Sequence, residues 1–157
     1  MTNNKKVCSY KELLSIIEAS ISENGVFPLV VTGTSMTPTL YSERDVVHLV
    51  SPTYKLPKKY DIVLFKRPDG AVILHRIIKK LPDNRFLING DSQIWTEEIN
   101  FSQIVAVTKS YVKNNKKISC DTTGYKIKSA IWCKTRRFRP FVFKLSTVLN
   151  RKKHSLT

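Results

Sequence analysis

Residues 31–40 read Val-Thr-Gly-Thr-Ser-Met-Thr-Pro-Thr-Leu, and no charged side chain falls in this region up to Ser42 of an otherwise heavily charged sequence. Its chemically interesting member is Ser35. A serine hydroxyl is a poor nucleophile until a neighbouring base takes its proton. Gly33, two positions earlier, lets the backbone turn sharply, which would expose the hydroxyl and aim amide N–H groups at a developing oxyanion. The side chains of suitable type to serve as base include His75, His48 and Lys66. An imidazole near its ordinary pKa accepts a proton at neutral pH without further tuning, whereas a lysine must first lose its charge through burial. By itself Gly-x-Ser is a weak signal, because serines beside glycines are mostly turn formers. An isolated strand histidine is likewise more often a core residue.

The elements that would have to carry these groups are legible from periodicity. Residues 9–23 predict a helix: Ser9 and Glu12 fit a capping box, Leu13, Leu14, Ile16, Ile17 and Ile21 recur at helical spacing, and Asn24-Gly25 ends it. Short strand-like runs follow at 26–32, 45–50, 61–65, 71–78, 86–89 and 104–112. Pro68-Asp69-Gly70 and Asn114-Asn115 mark turns between them. Many short strands without alternating helices predict a compact, mostly-β domain. The chain therefore divides into an amino-terminal helix (1–25), a β domain (26–118) and a basic carboxy-terminal tail (119–157).

Several short motifs in series carry a resemblance. Ser35-Met36-Thr37-Pro38-Thr39 resembles the S-M-x-P-T box of the signal peptidase I superfamily, which includes the LexA-type repressor peptidases. Asp61-Ile62-Val63-Leu64-Phe65 resembles its G-D-I-V-x-F box, Leu74-His75-Arg76-Ile77 its general-base strand, and Asn89-Gly90-Asp91-Ser92 its late G-D-N box. The likeness runs from about Val26 to Val112. It implies a coiled β-fold and a serine endopeptidase that holds its peptide as an extended strand and cuts after small residues. His75 stands where the usual bacterial enzymes have lysine, so the chain resembles the histidine-type branch of endoplasmic-reticulum and archaeal enzymes. The same resemblance implies Asp91 or Glu97 as the acid that orients His75, with Glu98 as an outsider, and the sequence leaves that choice open. Gly33 replaces a family serine that donates to the oxyanion, so the hole would rest on the backbone N–H groups of Thr34 and Ser35. Arg44 and Tyr60 stand where glycines precede family aspartates. Lys66 reads as a sheet-edge charge and His48 as structural. The resemblance calls for no metal or cofactor.

The bulk numbers bound the rest. With 157 residues there is room for one domain with a real core. Cys8, Cys120 and Cys133 form no C-x-x-C pair, so neither a zinc knuckle nor a disulfide framework is suggested. The net charge of +15 favours an anionic partner. After Asp121 come ten basic residues and no acidic one, interleaved with Ile131, Trp132, Phe138, Phe141, Phe143, Leu145, Val148 and Leu149. Such a tail, broken near Pro140, suits an amphipathic helix laid on an anionic membrane or one packed on the β domain; nucleic acid ranks below both. No stretch approaches the ~20 apolar residues of a spanning helix and no apolar leader is visible. The expectation is a cytosolic chain that reaches a membrane only peripherally.

Overall fold

The computed structural model describes residues 10–22 and 25–139. Ser9, Pro140 and everything beyond lie outside this range, and with them the capping-box expectation and the break in the tail. Helix α1 (Tyr10–Ile21) leads into strands β1 (Phe27–Val30), β2 (Val46–Val50), β3 (Ile62–Lys66), β4 (Val72–Lys80), β5 (Arg85–Asn89), β6 (Glu97–Asn100), β7 (Ile104–Lys113) and β8 (Lys116–Ser119). Helix α2 (Thr123–Lys134) and a 3-10 turn at Arg136–Phe138 complete the described chain. All eight strands join one curled antiparallel sheet in the order β1-β2-β7-β3-β4-β5-β6, with β8 paired to β7. The mostly-β expectation with a helix at each end therefore holds. Strands β6 and β8 are additional, each only four residues long and polar in sequence.

At its central strand β3 the sheet is buried on both faces. Ile62-Val63-Leu64-Phe65 is an unbroken apolar run because these first four of the five residues of β3 are all buried; only Lys66 at its end is exposed. Alternation sends Ile62 and Leu64 into one core with Val47, Leu49 and Ala106, and Val63 and Phe65 into a second with Ile77, Ile88 and Val107. Helix α1 buries Leu14, Ile17 and Ile21, its i, i+3, i+7 stripe, and covers the first core with Ile17 and Ile21, while Ile16 is exposed. Register shifts at His48/Leu49, Leu64/Phe65 and Ile77/Lys79 add local twist, which curls the sheet. Asn114 and Asn115 both adopt positive φ, the left-handed pair that a tight β7–β8 hairpin requires. Tyr60 holds φ +80 at the position where the family pattern has glycine, so a bulky side chain occupies left-handed backbone there.

Helix α2 is packed on the first core rather than standing free. Thr122 caps it by accepting from the Tyr125 N–H, and Tyr125 and Ser129 are buried. Its anchor is Arg76 of β4, 1% exposed. Arg76 donates through Nε and Nη2 to both oxygens of Asp91 (2.9 and 2.6 Å), and through Nη1 to Tyr125 Oη (2.8 Å), Ser129 Oγ (2.9 Å) and the Tyr60 carbonyl (3.0 Å). Burial works against the guanidinium charge, but Asp91 outweighs it and holds the Arg76 pKa well above its ordinary value. Removing one partner of such a pair leaves an uncompensated buried charge. Asp91→Ala is accordingly expected to cost about 3–5 kcal/mol, and Arg76→Met/Asp91→Leu to recover most of that. Urea denaturation of the three proteins reads the difference; an Asp91→Ala protein within about 1 kcal/mol of the parent would remove the pair from its structural role.

Candidate active site

Ser35 sits just past β1, where Gly33 turns the chain at φ +76. A short helical turn follows, with the Thr37 N–H donating to Thr34 O (3.1 Å) and the Leu40 N–H to Met36 O (2.9 Å). Met36 and Leu40 are buried in the first core and fix this turn, leaving Ser35 half-buried at its start. The Ser35 carbonyl accepts from both the N–H (2.9 Å) and the Oγ (3.0 Å) of Ser92. The N–H groups of Thr34 and Ser35 donate to no other backbone group among the described residues. A Cβ on Gly90 would come within 2.8 Å of the Ser35 carbonyl oxygen and 2.6 Å of Gln93 Oε1, so the close approach of the two loops requires glycine there.

His75 lies on β4, 2% exposed, opposite Val63 of β3. Its ring lies near that of Phe65, with centroids 6.0 Å apart. Glu97 of β6 brings Oε1 to 3.3 Å from Nδ1, an ion-pair distance without hydrogen-bond alignment. Glu97 is itself gripped by Arg67, Nε to Oε2 at 2.8 Å and Nη2 to Oε1 at 2.6 Å. Nε2 of His75 has no hydrogen-bond partner among the described residues. Burial pushes the imidazole pKa below its ordinary value; Glu97 pulls it partly back, and the Arg67 charge opposes Glu97. Burial thus favours the neutral ring over the charged one.

Of the two acids that the sequence left open, Glu97 faces His75. Asp91 does not: its carboxylate is taken by Arg76 and by the Thr39 hydroxyl. The reason is strand alternation. His75 and Arg76 are adjacent on β4 and point to opposite faces, and Asp91 lies on the Arg76 side. Glu98 pairs with Arg85 and is remote in role. His48 contacts Ser110 Oγ through Nδ1 (3.2 Å), and Lys66 is exposed at the end of β3, so neither belongs to this cluster. No hydrogen bond joins Ser35 to His75. Leu74, the neighbour of His75, lines the same cavity as Ser35, whereas His75 itself is not among the residues that line it.

That cavity, about 600 Å³, lies between two strand edges. Strand β5 pairs with β4 only from Arg76 onward, so the edge of β4 at Val72, Ile73 and Leu74 has no strand beside it there. The opposite wall is the β1 side, from Leu29 to Met36. Trp95, 60% exposed, stands at the rim. Two residues that the sequence did not point to brace the site. Arg67 holds Glu97, and Arg139, 1% exposed, donates to Asn89 Oδ1 (2.6 Å) and to the carbonyls of Gly90 (3.0 Å) and Gln93 (2.7 Å), clamping the loop that grips Ser35. Neither carries a sequence signal, since each acts through a partner 30 or more positions away.

A family model described as signal peptidase, peptidase S26, matches residues 13–129. The chain is 34% identical over 86 residues to signal peptidase I V of Bacillus subtilis, an overlap of 50% of this chain and 51% of that protein. It thus spans about half the length of the curated relative it matches. No solved structure matches the chain.

The electrostatics of His75 can be read directly by NMR titration. Its pKa is expected below 6.5, to fall further in Glu97→Gln, which removes the attracting charge, and to rise in Arg67→Gln, which removes the opposing one. Shifts of the reverse sign would dissolve the cluster.

Proposed function

The chain belongs to the signal peptidase family, peptidase S26, and from that premise we propose that it is a serine endopeptidase that cuts signal or leader peptides after small residues. Ser35 is the nucleophile, His75 its base, and Glu97 the acid that orients the imidazole. The observation that carries this reading is the setting of His75: buried, which favours its neutral form, with a carboxylate near Nδ1 and a bare Nε2. A proton on Nδ1 facing Glu97 leaves the Nε2 lone pair free to accept, which is the tautomer a general base needs.

The substrate is an extended peptide seated between the β1 side and the unpaired edge of β4, hydrogen-bonding as an added strand. Ser35 Oγ attacks the scissile carbonyl carbon as its proton passes to His75 Nε2, and the oxyanion is met by the N–H groups of Thr34 and Ser35. Collapse releases the amine, which takes the proton from His75, and water then hydrolyses the ester by the same route in reverse. The mechanism requires Ser35 Oγ and His75 Nε2, which share no hydrogen bond here, to come together when substrate binds. Asp91 acts indirectly, by fixing Arg76 and the loop that carries Ser92. Membrane association is part of the proposal: the basic segment after Asp121 suits a peripheral attachment to an anionic face, and no helix described is long and apolar enough to cross a bilayer.

Purified protein presented with a library of leader and signal-like peptides tests the reading. Ser35→Ala and His75→Ala are each expected to lower kcat/KM by about 10³-fold or more. Cleavage that survives both sinks the proposal. The base must be unprotonated, and burial lowers its pKa, so the acid limb of the pH–rate profile is expected below pH 6.5 with a plateau through neutrality. Glu97→Gln is expected to reduce kcat by about 10²–10⁴-fold and to move that limb further down.

A further inference from the structure

Outside the peptide cleft, a second cavity of about 310 Å³ opens between strands β4–β5 and the carboxy-terminal end of α2. Five cations line it, Lys59, Lys79, Lys134, Arg136 and Arg137, and no acidic side chain does. None of the five makes an ion pair among the described residues, although eight such pairs occur elsewhere. Arg136 Nη1 is buried and has no hydrogen-bond partner among the described residues. A guanidinium N–H withdrawn from water without an acceptor is costly, and five like charges around one depression repel each other.

The end of helix α2 does not explain this arrangement. Its macrodipole amounts to roughly half a negative charge, enough for about one cation. The last carbonyls already have donors: Ile131 O receives the Thr135 N–H (3.0 Å) and hydroxyl (3.1 Å), and Trp132 O the Arg139 Nη2 (3.3 Å). The lining arginines are thus not spent on capping.

We propose that this cavity binds a phosphate or phosphodiester group. Several acceptor oxygens on one compact anion match a guanidinium fork with a buried, unfilled donor and a ring of lysines that supply charge without fixed geometry. The volume of about 310 Å³ admits a phosphorylated headgroup. Exposed apolar side chains stand on the same end of the chain, Ile131 (59%) on the outer face of α2 and Phe138 (64%) in the 3-10 turn. A phosphate carried by a lipid would bring acyl chains against them; a soluble phosphate would fill the cavity alone. The site is separate from the proposed cleavage chemistry, and Ser35→Ala should leave it intact.

Two probes distinguish the sources: inorganic pyrophosphate, read by thermal shift and calorimetry, and vesicles of phosphatidylglycerol with phosphatidylcholine, read by sedimentation against phosphatidylcholine alone. Lys79→Gln/Arg137→Gln alters exposed residues only, Arg136→Gln removes the buried donor, and Lys66→Gln/Lys116→Gln makes the same charge change elsewhere. Binding of one probe or both, weakened about tenfold or more by either cavity variant and little by the control, is the expected result. Pyrophosphate binding alone assigns a soluble phosphate, and vesicle binding alone a lipid headgroup. If neither probe binds, or if control and cavity variants weaken binding equally, the net charge suffices and the site is refuted.

Discussion

A guanidinium buried to 1% exposure is tolerable only if nearly every donor is matched and its charge is balanced, and Arg76 meets both conditions at once. Asp91 supplies the charge from the loop after β5, while Tyr125 and Ser129 supply hydroxyls from α2 and Tyr60 a carbonyl from the approach to β3. Three parts of the chain that share no strand pairing are thereby tied to one atom group. The loop fixed by Asp91 is also the one whose Ser92 grips the Ser35 carbonyl. The position of the proposed nucleophile therefore depends on a pair that has no direct part in the chemistry.

On the opposite face of β4 a weaker electrostatic balance governs His75. Burial favours the neutral ring and Glu97 favours the charged one, with Arg67 tempering Glu97 by holding its carboxylate. Burial prevails, which suits a group that must accept a proton rather than carry one. The same arrangement fixes which nitrogen is free, because only Nδ1 has a carboxylate near it. Two adjacent residues of one strand thus serve opposite ends: Arg76 is kept permanently charged by its partner, and His75 is kept neutral by its surroundings.

The curl of the sheet gives these groups a cleft to act on. A flat sheet would separate β1 from β4 by the intervening strands; the bulges let the β1 side and the unpaired part of β4 line one cavity. Unpaired edges invite strand addition, and here both walls offer one. Helix α2 closes the structure elsewhere, with its inward residues used by Arg76 and the core and its outward ones, Ile127 and Ile131, left exposed.

Much of this was legible in the residues themselves. The apolar run of β3, the Asn114-Asn115 turn and the helical stripe of α1 followed from local periodicity and turn chemistry, which act between near neighbours. So did the candidacy of Ser35, His75, Asp91 and Glu97, because motif order is a property of the chain. Strands β6 and β8 were not visible, being short and polar and stabilised by pairing with a neighbour rather than by their own pattern. Nor was the division of labour between the two acids. Alternation says that His75 and Arg76 point apart, but which acid meets which side depends on where the chain returns after β5, and that is decided only when the sheet closes. Arg67 and Arg139 were silent for the same reason: their partners are assigned by distance in space, which a linear sequence does not record.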